Sequence, residues 1–203
     1  MALLKPLRKK TAVRQKAGRS FRNAGQLLAL TCLLLNTFPA NPAEPQFSEP
    51  QVKAAFLVNF PKYVEWPVTA RLTTNSPITI TVLGGGELDV WLAKMIEGKK
   101  VEGHPLVLNR IAQEQDISPD CQILFIAASE QKNVPAILAS LAGAPVLTIG
   151  ESDDFLAAGG MINLVHEKNK IALEVNLSAA ERAGLKISSK LLTVARIKRD
   201  QKP

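Results

Sequence analysis

The sequence predicts an α/β layered domain: a mainly parallel, mixed sheet flanked by helices, with a C-terminal β-hairpin plus helices. Three observations carry this. Short β-branched runs alternate with helical patterns between Ile78 and Ile149, the order in which parallel strands and crossover helices are built. One run, "QILFIA" (Gln122–Ala127), is continuously apolar, as expected of a strand covered on both faces, and "PVLTI" (Pro145–Ile149) reads as another buried strand. After Gly159-Gly160 the pattern changes to strand, polar turn at Glu167–Lys170, strand, which adds an antiparallel part.

The elements follow in order. Residues 1–43 hold eight basic residues and no acid, and an apolar run, "LLALTCLLL" (Leu27–Leu35), follows the last of them. That order predicts an export signal over 1–43, followed by a single domain over 44–203; an uncleaved membrane anchor is the alternative. Ala40 and Ala43 are candidate last residues of the signal. Leu30 and Thr31 poorly match the small residues that precede a lipidated cysteine, so Cys32 is not read as a lipid anchor. Residues 40–50 are Pro-rich and read as a linker. Ser48 and Gln51 have capping-box spacing, with Pro50 in the first turn. Val52, Phe56, Phe60 and Tyr63 follow at helical spacing as one apolar stripe, and Pro61 should kink or end that helix. Residues 68–77 read as a polar loop.

Ile78–Leu83 reads as a strand, Glu87–Ile96 as a helix, and Pro105–Arg110 as a second strand. A helix is expected over Gln131–Leu141. Ser152 should cap a short helix carrying Asp153 and Asp154 in its first turn. In the second hairpin arm Ile171, Leu173 and Val175 point one way, and Ala172, Glu174 and Asn176 the other. Ser178 and Glu181 repeat the capping-box spacing, and Gly184 marks the end of that helix. The last segment, "LKISSKLLTVARI" (Leu185–Ile197), reads as a helix with Ile187, Leu191 and Val194 on one face. Glu174 would then need a partner, Lys190 or Arg196 on that helix.

Charge and cysteines bound the function. Lys and Arg outnumber Asp and Glu by 25 to 18, but from Glu44 onward 17 basic residues face 18 acidic ones. The basic excess belongs to the N-terminus, so the domain gives no electrostatic reason to expect nucleic acid. Cys121 is its one thiol, which excludes an internal disulfide. About 160 residues suffice for a core that buries roughly two-thirds of the unfolded surface.

The motifs argue against chemistry. "ITVLGGGELD" presents strand, Gly84–Gly86, helix, the order of a phosphate cradle. A dinucleotide fingerprint would place a third glycine at Asp89, and the Walker pattern is absent. A tight strand-to-helix turn is the expectation; a small anion on the glycine amides is the competing one. His104 and His166 stand far apart and have no metal-ligand spacing. Ser188, Ser189 and Lys190 lack the S-x-x-K spacing that sets serine and lysine on one face. No G-x-S-x-G elbow occurs. Neither a metal nor a cofactor is expected.

Several stretches together carry a resemblance: "VKAAFLVNFPKYVEWP" (Val52–Pro67), "ITVLGGG" (Ile80–Gly86), "CQILFIA" (Cys121–Ala127), "GGMINLV" (Gly159–Val165) and "IALEVNLSAAERAGLKISSKLLTVA" (Ile171–Ala195). In this order they resemble the YfiR-like family of periplasmic proteins. The resemblance implies a small α/β domain without catalytic residues. It implies a repressor that binds the periplasmic sensor domain of an inner-membrane diguanylate cyclase and restrains cyclic di-GMP synthesis; a homodimer is compatible with it. The most specific block directs the search for a contact surface to Glu174, Asn176, Lys190 and Arg196. Two departures stand out: Pro61 replaces a small helix former, and Thr81 lies near the place where a cysteine partner of Cys121 would be expected. Redox control by an internal disulfide is therefore not carried over. A periplasmic small-ligand binding protein or enzyme using Gly84–Gly86 is the second expectation.

Overall fold

The computed structural model describes residues 47–70, 72–73, 75–168 and 170–198. The expected signal over 1–43 lies outside them. The first helix, α1 (Glu49–Asn59), begins as its sequence directs: the Ser48 N–H donates to Gln51 Oε1 at 2.7 Å, and Pro50 sits in the first turn. Pro61 ends it in a single 3-10 turn over Phe60–Tyr63, because proline has no N–H for the next helical bond. A two-residue strand, β1 (Val64–Glu65), follows.

Next come β2 (Ile78–Leu83), α2 (Glu87–Ile96), β3 (Lys100–Val101), β4 (His104–Ile111), β5 (Ile123–Ile126), α3 (Val134–Ser140) and β6 (Leu147–Gly150). The hairpin is β7 (Ile162–Glu167) and β8 (Lys170–Asn176); after it stand α4 (Leu177–Arg182), β9 (Lys186–Ile187), α5 (Ser189–Leu192) and β10 (Ala195–Lys198). One sheet runs β10-β8-β7-β6-β5-β2-β4-β3. Its β2, β4, β5, β6 and β7 pair in parallel, as β10 does with β8, while β7/β8 and β3/β4 are antiparallel. The expected mixed, mainly parallel sheet is the one observed.

The unbroken apolar runs have a direct cause. Along β5, Ile123 and Phe125 pack into the core shared with α1, α2 and α4. Leu124 and Ile126 pack into the opposite core under α3. Successive side chains leave a strand on opposite faces, so β5, covered on both, is apolar at every position.

Four expectations need correction. The Ser152 segment forms hydrogen-bonded turns, not a helix. It wraps around Phe155, which is fully buried between Gly150 and Gly160; a Cβ on either glycine would lie 2.2 Å from the ring. The cap of α4 is Asn176, whose side chain accepts the Ala179 N–H at 3.1 Å, so Ser178 already lies inside the helix. Leu185–Ile197 is not one helix. Lys186 and Ile187 pair with Glu65 and Val64, and β10 adds to the sheet beside β8; strand pairing overrides local helical preference. Finally, α1 buries Ala54, Leu57 and Val58 outside the expected stripe; within the stripe Phe60 is buried, Phe56 and Tyr63 pack half-buried against the core, and Val52 is partly exposed.

Candidate functional site: an apolar groove with a basic rim

Three places were candidates for a site. The first is the glycine turn. β2 has β4 on one side and β5 on the other, which makes the carboxyl ends of β2 and β5 the switch point where open α/β sheets hold ligands. Here side chains close on Gly84 and Gly85, while Gly86 has open space beside it. A Cβ on Gly84 would meet Ser129 Oγ at 2.7 Å, and one on Gly85 would meet Asp89 Oδ1 at 2.3 Å. Gly84 and Gly86 have φ of +78° and +56°, the left-handed region that glycine tolerates. Burial raises the Asp89 carboxyl above its ordinary range, against the pull of Arg110, whose Nε lies 3.8 Å away. Asp89 thus stands against the turn that a phosphate would need, and the glycines serve the geometry of the bend.

The second is a charged cluster that the sequence reading missed. Lys53 of α1 donates to Glu151 Oε2 just after β6 and also pairs with Glu49. Glu151 Oε1 accepts the Ala128 N–H at 2.9 Å, and Glu49 Oε2 lies 2.6 Å from His166 Nδ1 on β7. Burial works against the Lys53 ammonium, but its bonds to Glu151 and Glu49 outweigh it and raise its pKa. The Lys53 bond lowers the Glu49 carboxyl, with burial opposing. The cluster clamps α1 onto the ends of β6 and β7. Its one sequence signal was the Glu49/Lys53 spacing of four on a helix. Glu151 gave none, being 98 residues from Lys53. Among the described residues no group of three or more His, Cys, Asp or Glu could hold a metal ion.

The third is an open groove of about 470 Å³ between α1 and the segment Ser188–Val194. The pairing of β1 with β9 and the Ser188 N–H donated to the Tyr63 carbonyl at 2.8 Å hold the two walls side by side. Val52, Phe56 and Tyr63 face Leu191 and Val194 across it, and Lys190 stands at the margin. The Phe56 ring stacks on buried Phe60, with centroids 6.0 Å apart. Lys190 is fixed by its backbone: its N–H donates to Ser188 Oγ at 3.3 Å, and its carbonyl accepts the Thr193 hydroxyl at 2.8 Å. Val194 is 69% exposed.

The four residues singled out in the sequence do not form one site. Lys190 lies on the groove. Arg196 reaches back to Glu167, with Nη2 to Oε2 at 2.6 Å, and Glu174 makes its ion pair with Lys198 at 3.5 Å, with Arg196 as its register neighbour on β10. Asn176 is 2% exposed and serves as the cap of α4.

Both walls of the groove fall within a family match: a model described as YfiR/HmsC-like covers residues 50–196. The chain belongs to the YfiR/HmsC-like family. The YfiR/HmsC-like span runs from the first turn of α1 into β10, so it takes in the sheet, both cores and the groove. Among solved structures, a conserved domain protein from Vibrio cholerae O1 biovar El Tor is similar with a TM-score of 0.52 at 14% identity, over 75% of this chain and 61% of that one. The ABC domain from Streptococcus pneumoniae, solved in complex with L-Trp, gives a TM-score of 0.48 at 11% identity, over 73% of this chain and 60% of that one. The chain thus spans about three-fifths of the length of each. The first likeness is one of fold; the second is too loose to build on.

Proposed function

We propose that this YfiR/HmsC-like chain is a non-catalytic periplasmic regulator. It binds the periplasmic sensor domain of an inner-membrane diguanylate cyclase and restrains cyclic di-GMP synthesis. The observation that carries this is the family match across residues 50–196. The Asp89 carboxyl beside the glycine turn favours binding of a protein over binding of a nucleotide. Export by the basic and apolar N-terminal segment is part of the proposal.

The physical requirement is modest. A repressor need only bind the inactive state of the sensor better than the active one. A coupling of about 1–3 kcal/mol changes activity several-fold to a hundredfold. Of the residues proposed for contact, Lys190 is the one on an open apolar surface; Glu174 and Arg196 would contribute from the sheet margin.

Deleting the gene should raise cellular cyclic di-GMP and surface attachment, and restoring the full chain should reverse both. A fusion of residues 1–50 to a reporter active only outside the cytoplasm should give signal. Unchanged cyclic di-GMP in the deletion strain would overturn the regulator reading, and a silent reporter would overturn export.

A further inference from the structure

We propose that the groove between α1 and Ser188–Val194 receives an acid-flanked amphipathic helix of the partner protein. The inference rests on the reading that the domain works by binding a protein, and it names the surface and the chemistry of what binds.

The walls decide the kind of element. A partner strand would need a free backbone ladder. The wall residues offer none there: Ser188 N–H is given to Tyr63, Leu192 N–H to Ser188, Thr193 N–H to Ser189 and Val194 N–H to Leu191. Recognition must therefore go through side chains, as when the apolar stripe of a helix enters a groove. Val52, Phe56 and Tyr63 on one wall and Leu191 and Val194 on the other supply apolar contact along it.

The margins decide the charge. Lys190 lines the groove, and Lys62 reaches Asn59, another lining residue, at 2.9 Å. No carboxylate lines the groove. Neither lysine has a carboxylate partner among the described residues, and both stand beside the apolar lining. An entering helix with Glu or Asp beside its apolar stripe would pair both cations, and such complementarity sets partner choice. A second copy docked through the same groove would bring no carboxylate from the groove lining to meet these cations. Two cations are also fewer than the clusters of about 4–8 that hold a protein on an anionic lipid surface.

The test uses a phage-displayed library of amphipathic helices of about 18 residues, long enough to hold helical form. Leucine is fixed on one stripe, and Glu, Gln or Lys is randomised beside it. Selection on the purified full chain should enrich Glu at the flanks. Binding of the winners should fall about tenfold or more on Val194→Asp and on the double reversal Lys62→Glu/Lys190→Glu, with melting temperature unchanged. Selection on the double variant should instead enrich Lys. No enrichment, flank-blind winners, or winners indifferent to Val194→Asp would overturn the proposal. So would self-association of the chain that Val194→Asp abolishes. The two readings fail separately. If acid-flanked helices are enriched while gene deletion leaves cyclic di-GMP unchanged, the groove stands and the cyclase reading falls. If deletion raises cyclic di-GMP and the groove variants repress normally, the reverse holds.

Discussion

At Cys121 and Lys53, burial decides the chemistry of single groups, and it does so differently. Cys121 is 5% exposed, and burial raises its thiol, partly offset by the Thr81 side chain beside it. The thiolate is the reactive form, so a disulfide-exchange reagent at neutral pH should label the native protein slowly and the urea-unfolded protein at the rate of a free thiol. Rapid native labelling would show that the region opens. This site was legible in the sequence, because an apolar strand directly after a cysteine leaves it little room to be exposed. Lys53 was not legible: a lysine on a helix normally points to water, yet here its side chain is 13% exposed between two carboxylates. Lys53→Met keeps the stem but leaves Glu49 with only His166 and Glu151 with only the Ala128 N–H, which should cost on the order of 1–3 kcal/mol in urea unfolding at neutral pH. The signs follow from the shifts. The contribution of Glu49, whose folded pKa is lowered, is present at neutral pH and lost as pH falls through that lowered value. That of Lys53, whose pKa is raised, is present at neutral pH and lost only as strong alkali passes the raised value. The Lys53→Met penalty should therefore shrink in acid, where Glu49 protonates; a penalty flat from neutral to acid would assign the cost to packing alone.

The elements read correctly from sequence are those whose neighbours are close in the chain or whose burial is two-sided. β2 and α2 match their expected bounds, and the hairpin β7/β8 announces itself by a short polar turn. The C-terminal segment was misread because its partners are remote: β9 needs β1, and β10 needs β8. Local periodicity cannot see either. In α1 the difficulty was an excess of signal. The helix is apolar on two sides, one filled by Leu57 and Val58, the other left open at Val52 and Phe56, and periodicity alone does not say which side is core. The Phe155 turn combines both problems. Its glycines looked like a boundary, whereas Gly150 and Gly160 are there to admit the ring between them. Gly160→Ala should therefore destabilise by about 1–3 kcal/mol through overpacking. A double-mutant cycle with Phe155→Leu should show favourable coupling, since the smaller side chain frees the space the methyl takes. Additive losses would mean that the glycine acts through its backbone instead.

Across the described residues the layers separate stability from exposure. Two cores on opposite faces of one sheet hold the fold, and the open surface includes the groove on one side and, among the described residues, the sheet edges at β10 and β3. β3 is two residues long and offers little to pair with. β10 is longer and largely exposed, with Ile197 46% exposed. An unpaired edge of this kind invites another strand unless charge guards it. Arg196 and Lys198 occupy alternate positions, and each is held by a carboxylate of its own sheet, Glu167 and Glu174. Replacing both by threonine keeps strand propensity and removes the guard. Arg196→Thr/Lys198→Thr is expected to make the chain associate with rising concentration in sedimentation velocity, with its circular dichroism spectrum unchanged. The wild type should stay monodisperse under the same conditions. A variant that remains monodisperse would mean that edge charge is not what keeps β10 unpaired. If that monodisperse variant also loses repression of cyclic di-GMP, the pair of cations acts on the partner, and the contact surface extends from the groove at Val194 along β10.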